Sequence, residues 1–192
     1  MDRRELLKIM AMTLGGSVAL PESVFAKIGE PFDPTELTFF TPLQREQVAA
    51  LAEAIIPKTE TPGAIEAGVP GWIEVILKDC YLPEDQKIIT AGLADLAKRC
   101  QDRHGKSIDK LTPAEQVTFL TEADQEARSG KLKAEQEGQL QRETFLQQFK
   151  ELAKFTYVNS EIGATQAFEF HMTPGKWVAS MPLEPGQKAY SY

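Results

Sequence analysis

The chain has 192 residues, two cysteines and a net charge of −7. That acidic balance argues against nucleic acid, because phosphate binding needs clustered Lys and Arg to displace counterions. Beyond Leu20 no apolar run approaches the ~20 residues that a helix needs to span a bilayer.

The first 26 residues read as an export signal. Asp2-Arg3-Arg4-Glu5-Leu6-Leu7-Lys8 is a charged head, Ile9 to Leu20 an apolar middle of 12 residues, and Ser23-Val24-Phe25-Ala26 a small-residue processing site. Arg3 and Arg4, followed by Leu6-Leu7-Lys8, resemble the twin-arginine type, which carries folded cargo across the bacterial inner membrane. Val24 and Ala26 suit the two small positions of a signal-peptidase site, so cleavage is expected between Ala26 and Lys27. The remaining 166 residues keep the charge of −7, because three basic and three acidic residues leave together. Such a length fits one domain with a sizeable core. In an oxidising compartment an even, low cysteine count favours one disulfide, here Cys80 with Cys100.

Residues 27–40 carry two prolines and no helical period, which predicts an extended arm ending on Phe39 and Phe40. Thr41-Pro42-Leu43-Gln44 then opens a helix, with Thr41 as cap, Pro42 at the first helical position and Gln44 completing a capping box. Val48, Leu51, Ala52 and Ile55 fall on one stripe, and Pro57 stops the helix. The loop 57–64 holds two prolines and a glycine. Val69-Pro70 opens a second helix in which Trp72, Val75 and Ile76 share a face, with Cys80 one turn beyond Ile76. Leu82-Pro83-Glu84-Asp85 is a tight connection whose acids suit the positive end of the next helix. There Ile89, Leu93, Leu96 and Cys100 form the stripe and Gly105 the stop. Cys100 lies far from the connecting turn, so the expected disulfide needs a kink or a later helix start.

Thr112-Pro113-Ala114-Glu115 is a second capping box, followed by Val117, Leu120 and Ala127. Residues 121–143, rich in Glu, Gln and Lys, read as solvated helix and loop. The apolar period returns through Phe145, Phe149, Leu152 and Ala153 and ends near Gly163. After Thr173-Pro174-Gly175 helix signals stop, and the tail carries Trp177, Tyr190 and Tyr192. The expected fold is all-α: a single irregular helical domain over 41–170, an extended N-terminal arm over 27–40 and an irregular tail over 171–192. Aromatics are enriched at interfaces, so Trp177, Tyr190 and Tyr192 are candidate partner contacts, together with the loop 57–64.

Enzyme motifs are nearly absent. There is no Gly-rich dinucleotide loop, no phosphate-cradling loop and no Cys-x-x-Cys-His for haem. His104 and His171 have no ligand-spaced neighbours, so no metal site is expected in this chain. Two cysteines are too few for an iron–sulfur cluster, which usually takes four thiolates. Glu161, Glu169 and His171 are close in sequence, as chance allows in an acidic protein, and Phe168 and Phe170 read as core. No catalytic and no cofactor-binding residue is assigned.

Leu43-Gln44, Ala49-Ala50-Leu51-Ala52-Glu53-Ala54-Ile55-Ile56-Pro57 and Thr59-Glu60-Thr61-Pro62-Gly63-Ala64 form a more specific string. Ala67-Gly68-Val69-Pro70, Trp72-Ile73, Phe155-Thr156 and Ser160-Glu161-Ile162-Gly163-Ala164 continue it. The pattern resembles the small subunit (subunit 3, or gamma subunit) of the gluconate 2-dehydrogenase type, over most of residues 41–180. That resemblance implies a non-catalytic partner of a large flavoprotein of the glucose–methanol–choline type, often beside a cytochrome c subunit. FAD, and haem c or an iron–sulfur cluster, are then expected in partner subunits, and the complex in the periplasm, with membrane association only through the signal or a partner. The small subunit escorts the catalytic one through folded-protein export and supports it. The alternative from the residues alone is a stand-alone periplasmic helical scaffold or binding protein.

Overall fold

The computed structural model describes residues 37–136 and 144–172, together with 175, 180, 182 and 185–191 of the tail. Helix α1 (Pro42–Ile55) begins where its cap predicts. The Thr41 hydroxyl accepts from the Gln44 amide at 3.3 Å, and the Gln44 side chain accepts from the Thr41 amide at 2.9 Å. It buries Val48, Leu51 and Ala52, with Ile55 half-buried. Helix α2 (Val69–Cys80) buries Val69, Ile73 and Leu77, while Trp72 lies on the exposed side. The face expected from Trp72, Val75 and Ile76 is therefore the rim, not the core. The apolar residues of α2 extend over two neighbouring stripes, and packing buries the one that carries Ile73 and Leu77.

Helix α3 (Pro83–His104) buries Ile89, Leu93, Leu96 and Cys100, as the spacing predicts. Gly92 lets α5 come close, since an added Cβ would lie 2.3 Å from the Phe145 ring. A 3-10 turn (Ile108–Lys110) leads to α4 (Pro113–Gln136), opened by the expected Thr112–Glu115 box. Phe119, Leu120 and Ala123 are buried hydrophobic residues of this helix, whereas Val117 is exposed. The acidic stretch beyond residue 121 stays helical to Gln136, and Glu122 and Glu126 pair with Arg103 and Arg99 of α3. Helix α5 (Phe145–Asn159) packs on α1, α2 and α3 and buries Leu146, Phe149, Leu152 and Ala153. It starts at a third capping box, Thr144 with Gln147, and a π turn (Gly163–Ala167) follows it.

The architecture is predominantly all-α. The strands among the described residues are β1 (Glu169–Phe170) and β2 (Tyr190–Ser191), paired in parallel with Glu169 opposite Tyr190.

Residues 37–40 are held to the helices by one carboxylate. Glu74 of α2 is 1% exposed, and its Oε1 accepts from the amides of Phe39 and Phe40 at 2.8 and 2.9 Å. The Arg45 guanidinium donates to both Glu74 oxygens, at 2.8 and 3.1 Å, and also to the Leu37 carbonyl. Burial alone would push the Glu74 carboxyl up, but Arg45 and the Phe40 and Phe39 amides outweigh it and hold it below the ordinary glutamate range. A lowered native pKa contributes stability that is present above the unfolded value of ~4.3 and lost as pH falls through the native value. Glu74→Gln should cost about 1–3 kcal/mol at neutral pH, since donors built for a carboxylate meet an amide. In urea titrations the gap to the parent should shrink as pH falls below about 4. A gap independent of pH would show that the Glu74 charge is not what holds the segment.

Candidate partner-docking surface

Between α1 and α2 the chain crosses 13 residues, 56–68, outside the two helices. Its backbone groups are satisfied by turn bonds within the segment, such as Ala67 to Gly63 at 3.0 Å, and by side chains from elsewhere. Glu53 accepts from the Lys58 amide at 3.0 Å and from the Ile65 amide at 2.8 Å, one on each carboxylate oxygen. The Tyr157 hydroxyl of α5 donates to the Pro62 carbonyl at 2.6 Å in a buried contact. Backbone bonds from Ala64 to Ile56 at 2.9 Å and from Thr59 to Thr61 at 3.0 Å complete the turn. Gly63 is the point of closest approach, because an added Cβ would sit 2.2 Å from Glu53 Oε1.

The backbone is thus fixed largely from the inside, by Glu53 and Tyr157. Lys58, Thr59 and Glu60 are exposed, and Lys58 pairs with Glu66 at 2.8 Å. Ile65 is 55% exposed and Trp72 42%. The indole lies against Gly68, so Ile65 and Trp72 flank the loop's last turn. A half-exposed Trp in the first turn of α2 and an exposed Ile on the fixed loop before it have the composition of interface anchors.

A model of one protein family, described as "Gluconate 2-dehydrogenase subunit 3", matches residues 42–175. This chain belongs to that family. The match takes in α1 through α5, the loop 56–68 and Trp72, and stops before Tyr190. The family's description denotes a subunit of a dehydrogenase, which sets the chain in a multi-subunit assembly. No curated protein and no solved structure matches the chain.

The other expected site residues fare differently. Arg3, Arg4, Ala26, Lys27, Trp177 and Tyr192 lie outside the described residues. Tyr190 is described, and its ring stands edge-on to His171 with centroids 5.2 Å apart. Backbone bonds from Glu169 to Ala189 and from His171 to Ser191, at 2.9 and 2.8 Å, bring the end of the tail onto its own chain. Tyr190 remains 46% exposed beside Phe170 and Met172, which are also exposed. Among the described residues no group of three His, Cys, Asp or Glu has metal-binding geometry, and no helix is long and apolar enough to cross a membrane.

The expected Cys80–Cys100 disulfide is corrected by the structure, in which both thiols are free. Cys80 is exposed at the end of α2, and Cys100 is buried on α3. From Pro83 to Cys100 the uninterrupted helix rises ~25 Å, with no kink to bring the two together. Burial, together with nearby Asp109, pushes the Cys100 thiol up from its ordinary value. Residues that sequence patterns did not single out are Glu53, Glu74 and Tyr157. The available signal for Glu74 was a lone carboxylate between Ile73 and Leu77.

In native protein, iodoacetamide should modify Cys80 and leave Cys100 untouched until urea is added. Mass spectrometry finding an intramolecular disulfide instead would overturn the free-thiol arrangement. Gly63→Ala should destabilise by about 1–3 kcal/mol, because the methyl displaces the Glu53 carboxylate from two amides. Tyr157→Phe should cost about 1 kcal/mol through the lost bond to Pro62. Unchanged urea midpoints in both variants would mean that the loop is not held from within.

Proposed function

We propose that this chain is the non-catalytic small subunit of an exported flavin-dependent dehydrogenase acting on a sugar, glycoside or sugar acid. Its task is to bind the large catalytic flavoprotein, of the glucose–methanol–choline type, and to escort it through folded-protein export into the periplasm. FAD then belongs to the large subunit, and haem c or an iron–sulfur cluster to a partner such as a cytochrome c subunit. The observation that carries this reading is the family match over residues 42–175, whose description names a subunit of a dehydrogenase. The internally pinned loop supports it by supplying a surface ready for a partner. Within the matched span, Ile65 and Trp72 combine exposure with a fixed backbone. Fixing the loop in advance lowers the entropy lost on binding.

The escort role follows from the chemistry of flavin loading. A flavoprotein takes up its cofactor as it folds, so it must cross the membrane folded. A bound subunit bearing Arg3 and Arg4 supplies the signal that a folded cargo needs. Lys in their place keeps the charge but loses the planar guanidinium fork.

The test is co-expression with the catalytic subunit, followed by affinity capture and cell fractionation. Trp72→Ala with Ile65→Asp should lower captured dehydrogenase activity by about 30-fold or more, the effect of losing ~2 kcal/mol at an anchor. The variant alone should melt as the parent does. Arg3→Lys with Arg4→Lys should leave capture intact and hold both chains in the cytoplasm. Full capture by the loop variant would move the interface elsewhere, and normal export of the double-Lys variant would remove the escort role.

A further inference from the structure

We draw no further inference here: the strongest candidate, the exposed surface patch of Phe170, Met172 and Tyr190 around the short β1–β2 pair, carries nothing, because nothing among the described residues shows what covers it.

Discussion

The contact between Glu74 and the amides of Phe39 and Phe40 is the constraint on which the front of the domain depends. One buried carboxylate joins the entering chain, α1 through Arg45, and α2, three segments that share no backbone ladder. Taking a carboxylate out of water is costly, and removing either partner leaves the other exposed to that cost. Here two amides and a guanidinium satisfy it, so the position where the chain enters and the packing of α1 on α2 are set together. The same device recurs at the other end of α1, where Glu53 accepts two amides of the following loop.

Side chains seal the other connections in a similar way. Gln86 donates to the carbonyls of Leu77 and Tyr81 at 2.8 and 3.2 Å, closing the turn between α2 and α3. Gln116 donates to the Ile108 carbonyl at 2.9 Å and fixes the 3-10 turn before α4. A small helical domain has few ladders to satisfy irregular backbone, and polar side chains on neighbouring helices take that role. Such sealing leaves the exposed side chains of the loop 56–68 outside the packed core, with Lys58 and Glu66 paired to each other. They are available for binding without any loss of internal packing.

Much of this order was legible in the sequence because it is local. Thr41-Pro42 with Gln44, Pro83 with Glu84 and Asp85, and Thr112-Pro113 with Glu115 each mark a helix start within four residues. The stripe Ile89, Leu93, Leu96 and Cys100 likewise needed only helical spacing. The Thr144–Gln147 box was missed because it follows a long Glu- and Gln-rich run with no proline to mark it. The spacing put Trp72, Val75 and Ile76 on one face of α2 but did not say which stripe is buried, and packing buries Val69, Ile73 and Leu77. Glu74 with Phe39 and Phe40, Glu53 with Ile65, and Tyr157 with Pro62 are partners 34 or 35, 12 and 95 residues apart, which no local pattern reports. The disulfide expectation failed for the converse reason. Cysteine count and compartment favoured it, while an unbroken α3 keeps the two thiols apart.

The same distinction between local and distant constraints separates the two candidate contact regions. The tail is joined to the body by two-residue strands, and a pairing so short has little stability of its own. Its end is further held by Lys188 donating to the Gln166 carbonyl at 2.6 Å and by Tyr190 against His171. A partner that gripped Tyr190 would first have to compete with those contacts. The backbone of the loop 56–68 is held by Glu53 and Tyr157, and the Lys58–Glu66 pair on its exposed side, between two solvated side chains, is worth little. The loop also falls within the span that the family model matches, whereas Tyr190 lies beyond it. Ile65 and Trp72 are the large apolar side chains exposed at that loop and the helix start after it, which makes them the candidates to test first.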